Sequence, residues 1–182
     1  MHAPDRAFHA PPRHAHLMPR FALEPADEAF FGSAPHVFTY RKQFAAPPER
    51  VWESLTSDES LAAWGSTVKF VNWTSPRPFG VGTTREVALS PGIVRVDETF
   101  FRWEDGVRYS FYVDHASVPS LRRFAEDYLV EPLGEGRAQF TWIVAIEARP
   151  AFAVPFKAFA PVLKAAFGRL ATDGEKYFRE RA

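Results

Sequence analysis

An α+β fold, in which a curved antiparallel sheet of about seven strands wraps round one long C-terminal helix, is predicted by two features of this sequence. The first is the closing segment. From 154 to about 178, Phe156, Phe159, Leu163, Phe167, Leu170, Gly174 and Tyr177 recur in steps of three and four, which keeps one helical face apolar for about six turns. The second is the middle of the chain, where residues 68–147 read almost throughout as strands. A sheet that meets a single long helix only at the end of the chain has to curl round it to bury both surfaces. Space between the two makes a binding cavity the first functional expectation.

The elements follow in order. Residues 1–20 are rich in Pro, Ala and His and lack periodicity, so they bury too little apolar surface to offset their ordering entropy and are expected to form a disordered tail. His2, His9, His14 and His16 have the capacity for weak metal binding, but no Cys joins them, and a solvated tail is the simpler expectation. Residues 21–36 read as an N-terminal arm, with Phe30 and Phe31 docking on the domain proper at 37–182. A strand at 36–44 puts Phe38, Tyr40 and Phe44 on one face. Pro47, Pro48 and Glu49 then open a helix, since proline is tolerated in the first turn and a carboxylate there faces the positive dipole end. Val51, Trp52 and Leu55 form its apolar face, and Asp58 or Ser60 is placed to cap a second short helix through Leu61 and Trp64. Strands are expected at 68–73, 83–89, 94–103, 107–115, 124–131 and 137–147, separated by Pro- and Gly-containing turns. Such short connections make successive strands antiparallel neighbours.

With 46% hydrophobic residues, 18 Phe and 5 Trp, the chain has enough apolar area for one buried domain and a cavity lined by rings. The balance of 22 basic and 22 acidic residues leaves no cationic surplus for a phosphate backbone, which argues against nucleic acid as a partner. Absence of Cys excludes disulfides, thiolate catalysis and cysteine zinc sites, and suits a reducing cytoplasm. No apolar run near the start has the form of a signal sequence. Residues 151–167 are apolar, but Pro155, Lys157, Pro161 and Lys164 interrupt them, so a soluble protein without stable membrane insertion is expected.

The order of strand, two helices, six strands and long helix is the helix-grip arrangement. Three segments carry a resemblance to the SRPBCC (START-like) superfamily: residues 44–55 (Phe-Ala-Ala-Pro-Pro-Glu-Arg-Val-Trp-Glu-Ser-Leu), 79–85 (Phe-Gly-Val-Gly-Thr-Thr-Arg) and 130–142 (Val-Glu-Pro-Leu-Gly-Glu-Gly-Arg-Ala-Gln-Phe-Thr-Trp). The helix from 154 completes it, and within the superfamily the chain most resembles the bacterial polyketide cyclase/dehydrase and lipid-transport group. Members carry lipids, bind hormones, cyclise polyketides or assist chaperones. The resemblance therefore implies the fold and leaves the reaction open.

Strand alternation gives a test of the site that is independent of family. If the turn at 90–93 pairs Leu89 with Val94, then Val87 lies opposite Val96 and Arg85 opposite Glu98. A charged pair then sits among apolar neighbours on the concave side. Tyr109 and Phe111 share a face with His115; Tyr128 shares one with Glu126; Phe140 and Trp142 face the cavity by the same parity. From the helix, Phe159, Leu163, Phe167 and Leu170 face the sheet, and Gly174 leaves space for a ligand or is a tolerated break.

Three functions remain open. The leading one is binding of an apolar small molecule, such as a lipid, polyketide or isoprenoid, in the cup. The second is a cyclase or dehydratase, with Glu98 or Glu126 exchanging protons and Arg85 stabilising an oxyanion; its alternative is a buried salt bridge that fixes register and catalyses nothing. The third is an interaction module with a closed core. No cofactor and no metal are expected, since no phosphate-cradling Gly loop appears and Cys is absent.

Overall fold

The computed structural model describes residues 19–90 and 94–182. His2, His9, His14, His16 and nearly all of the expected tail lie outside them. The described chain runs through β1 (Phe21–Ala22), α1 (Phe30–Ser33), β2 (His36–Phe44), α2 (Pro48–Thr56) and a 3-10 turn at Ser60–Ala63. Six strands follow: β3 (Val68–Trp73), β4 (Thr84–Leu89), β5 (Val94–Glu104), β6 (Arg108–Ala116), β7 (Leu121–Gly134) and β8 (Arg137–Ala148). A 27-residue helix, α3 (Ala153–Arg179), closes the chain.

The strands are antiparallel in the order β2-β8-β7-β6-β5-β4-β3, curved round α3. β2 and β3 are opposite edges of this sheet, and α2 with the 3-10 turn carries the chain between them. Neither Asp58 nor Ser60 caps that turn. Ser57 Oγ instead accepts the Ser60 N–H at 2.9 Å, while Ser60 Oγ donates to the Leu55 carbonyl at 2.7 Å, tying the turn back to α2. The tight β7–β8 connection uses left-handed backbone at Gly134, Glu135 and Gly136, which two glycines make inexpensive.

Residues 21–24 are built into the sheet, and α1 packs on its outer face. β6 and β7 pair only from Arg108↔Leu129 to Tyr112↔Ala125 and then part. β1 enters the gap, pairing Phe21 with Ala116 and Ala22 with His115. Leu23 N–H donates to the Asp114 carbonyl and Glu24 N–H to the Arg122 carbonyl, so backbone carbonyls orphaned by the split sheet find donors. Phe30, 1% exposed, then packs with Ala26 on Ala125 and Ala145 of the convex face, under the Arg123 guanidinium at 4.4 Å. Phe31 is only partly buried and stacks on Phe101 at 6.2 Å between centroids.

The C-terminal half of α3 is its tightly packed half. Phe178 stacks on Phe44 at 4.9 Å, and Trp64 meets Phe44, Phe140 and Phe178 edge-on. Phe178, not the expected Tyr177, is the buried ring, because the step from Gly174 is four residues. Gly174 leaves no ligand space: a Cβ there would lie 2.5 Å from Trp64 Cε3, so the glycine lets the helix close on that ring. Gly174→Ala gains about 1 kcal/mol of helix propensity but overpacks a ring held on three sides, which costs about 1–3 kcal/mol. Urea unfolding should show net destabilisation; a stabilised variant would mean that Trp64 has room to move.

Candidate functional site

Hairpin geometry places the first two candidate groups. The observed register pairs Leu89 with Val94, Val87 with Val96 and Arg85 with Glu98, as strand alternation predicts. Both charged side chains therefore point to the concave face, and both are buried, at 1% and 5% exposure. Arg85 Nε donates to Glu98 Oε2 at 2.5 Å. The guanidinium carbon lies 4.7 to 5.9 Å from the ring centroids of Phe111, Phe100, Trp73 and Tyr109, so the cation is caged by π faces. Its Nη1 and Nη2, with the Tyr109 hydroxyl, are buried without a hydrogen-bond partner among the described residues. Burial works against this cation, but the charge and hydrogen bond of Glu98, with the Tyr109 and Tyr128 side chains, together outweigh it and hold Arg85 charged. Burial likewise pushes Glu98 up, and Arg85 pulls it part of the way back.

Glu126 stands one step along the cup. It sits on β7 between Phe124 and Tyr128, and its Oε2 accepts from the Tyr128 hydroxyl at 2.7 Å and from Trp142 Nε1 at 3.0 Å. Tyr128 and Trp142 are register partners on β7 and β8, so strand pairing itself holds both donors in place. Burial, reinforced by the Glu98 charge, pushes the Glu126 carboxyl up to about 8. At neutral pH the group is therefore mostly a neutral acid, with its proton on the oxygen that Tyr128 and Trp142 do not occupy.

A cavity of about 280 Å³ opens between these residues and α3. Glu98, Glu126, Tyr128 and Trp142 line the sheet side; Phe156, Phe159, Leu163, Phe167 and Leu170 line the helix side. The cup is not packed shut. Of the other expected lining residues, Tyr109 and Phe111 cage Arg85 behind Glu98, and Phe140 stacks on Phe44 at 5.1 Å in the core. Arg85 itself does not reach the cavity, so Glu98 stands between the guanidinium and any ligand.

His115 faces away from the cup. β6 carries an extra residue where Asp97 pairs with His115 but Glu98 pairs with Val113, so Asp114 bulges and the alternation flips beyond it. Ala116 takes the inner position, and His115 Nδ1 lies 4.0 Å from Asp97 Oδ2 on the outside. A second bulge, at Phe101, brings Trp103 to the face of Phe100, where it stacks on Tyr109 at 5.4 Å. Sequence reasoning missed Leu61, Val118, Leu121 and Ile146 as lining residues. Parity with Trp142 would have found Ile146; Val118 lies in a connection and gave no periodic signal.

Fold and cavity together define an apolar-ligand-binding architecture of the START-like type. The family described as polyketide cyclase / dehydrase and lipid transport matches residues 35–175, and the chain belongs to it. Proteins of Mycobacterium tuberculosis and Mycobacterium bovis, both uncharacterized, are 36% identical over 161 residues, spanning 86% of this chain and 93% of theirs. A START superfamily protein from Mycobacterium smegmatis superposes with a TM-score of 0.63 at 12% identity, over 81% of this chain and 99% of its own. The Zhui aromatase/cyclase from a Streptomyces species gives 0.62 at 14% identity, over 81% and 96%. At those identities the likeness is one of fold.

Two outcomes follow for stability. Arg85→Met leaves Glu98 buried and unpaired and should cost about 3–5 kcal/mol in denaturant unfolding; adding Glu98→Leu should recover much of that. A double variant as unstable as the single one would show that the carboxylate is not what suffers. Glu126 binds its proton more tightly folded than unfolded, so its contribution is complete below about 4.5 and is lost as pH rises through about 8. Stability should fall by about 1.4 kcal/mol per pH unit across that window, and Glu126→Gln should flatten the profile.

Proposed function

We propose that the protein binds an apolar small molecule, of lipid, polyketide or isoprenoid character, in the cavity between the sheet and α3. The observation that carries this reading is a cavity whose helix wall is entirely apolar and whose sheet wall holds the Glu98 and Glu126 carboxyls among aliphatic and aromatic side chains. With Oε2 of Glu126 occupied by Tyr128 and Trp142, its remaining oxygen offers a proton to the cavity. The ligand's polar end is then a hydrogen-bond acceptor, such as a carbonyl. At about 280 Å³ the space lies near the lower end of small-molecule sites. It suits a single short chain or a small ring system better than a two-chain lipid.

A second reading, proton-transfer chemistry of the cyclase or dehydratase kind, is favoured by the same acid, which sits in the range useful for a general acid at neutral pH. The oxyanion-stabilising role then falls to the Glu126 proton, since Glu98 screens Arg85 from the cavity and the Tyr128 and Trp142 donors are engaged by Glu126 Oε2.

Native mass spectrometry of gently purified protein, followed by organic extraction, tests the first reading. A retained apolar molecule bearing a carbonyl is expected. Leu163→Trp, which fills the cavity, should weaken uptake of an apolar fluorophore at least tenfold; unchanged uptake would place binding elsewhere. Glu126→Gln keeps a donor and should preserve binding, whereas an enzyme would lose turnover of the extracted compound.

A further inference from the structure

We propose that the solvent face of the first half of α3 docks on an anionic lipid surface and holds the mouth of the cavity against the bilayer. This half of the helix is apolar on two sides. Phe156, Ala160 and Leu163 face the protein. On the opposite side Val154 is 81% and Val162 55% exposed, with Ala158 and Ala165 one turn after each. A helix apolar on both sides belongs in a core or against lipid, yet only 11% of the most apolar 18-residue stretch of the helical segment Pro150–Arg179 is buried. Among the described residues it is the one helix long and apolar enough to cross a membrane. Crossing would pull Phe156, Leu170, Ala171 and Phe178 off the sheet, so the available mode is docking flat, by the outer face.

Charge identifies the partner. The chain is neutral as a whole, yet from 150 to 172 every charged residue is a cation: Lys157, Lys164 and Arg169. All three are exposed, and none forms an ion pair among the described residues. Lys157 and Lys164 are seven residues apart and so flank the apolar face on one side, two turns from each other. Long aliphatic stems with cationic ends let such residues cover apolar surface while reaching phosphate. A second copy docking by the same face would bring cations only against cations; anionic headgroups over an apolar layer meet both features. Phe159 joins the face to the cavity, since it is 51% exposed and also lines the cavity wall. Docking by itself is independent of what the cavity holds; the transfer of a ligand from the bilayer rests on the binding function proposed above.

Co-sedimentation with vesicles tests this, using the full chain and equal parts phosphatidylglycerol and phosphatidylcholine. Binding is expected to these vesicles, to be absent with phosphatidylcholine alone, and to weaken as salt rises. Val154→Glu with Val162→Glu should reduce it at least tenfold, as should Lys157→Gln with Lys164→Gln, at about fivefold per cation. None of these four residues lines the cavity, so fluorophore uptake without vesicles should be unchanged, and a failure of docking is thereby distinguished from a failure of ligand binding. No binding to the anionic vesicles, or equal binding by the Glu variants, overturns the proposal. So does a lipid-free dimer in sedimentation that Val162→Glu dissociates, because the face would then be a self-interface.

Discussion

A guanidinium and a carboxylate taken out of water together constrain much of this protein. Arg85 and Glu98 face each other across β4 and β5, and the register of that hairpin is the one that lets them meet. A slip of one residue would turn both outward and bring Glu86, Arg95 and Asp97 to the concave face in their place. The rings of Trp73, Phe100, Tyr109 and Phe111, drawn from β3, β5 and β6, pack round the cation. The ion pair thus ties one side of the cup together, and it also sets the chemistry of the other. Burial and the charge of Glu98 beside it together raise the Glu126 carboxyl.

The two halves of α3 show how one helix serves packing and function. Its C-terminal half closes on the sheet and on Trp64 with no room for a single carbon at Gly174. Its N-terminal half stands away from the sheet, held by few polar links, among them the Tyr40 hydroxyl donating to the Lys164 carbonyl at 2.6 Å. Pro161 removes one backbone donor from this stretch, loosening the helical ladder where the cavity lies beneath it.

The sheet, too, is split near the cavity. β6 and β7 part beyond Tyr112 and Ala125, and the segment from Phe21 to Glu24 fills the gap with backbone hydrogen bonds to both sides. Leu23 from this segment joins the main core. A stretch that sequence periodicity marks only as an arm is therefore part of the wall near Val118 and Leu121, which line the cavity.

The sequence by itself determined the order of elements, the pairing of β4 with β5 and the inward direction of Arg85, Glu98, Glu126, Tyr128 and Trp142. These follow from short-range rules: a period of two in strands, of 3.6 in helices, and turn residues that set register. Only the tertiary structure decided what depends on two distant segments meeting. The bulge at Asp114, which turned His115 outward, arises from how β5 and β6 fit their neighbours, and alternation cannot foresee an inserted residue. Gly174 reads the same in sequence whether it faces a ligand or Trp64, 110 positions away along the chain. Which inner-face residues line the cavity and which fill the core was likewise decided by distance from α3. Periodicity assigns a side chain to a face; only packing assigns it a neighbour.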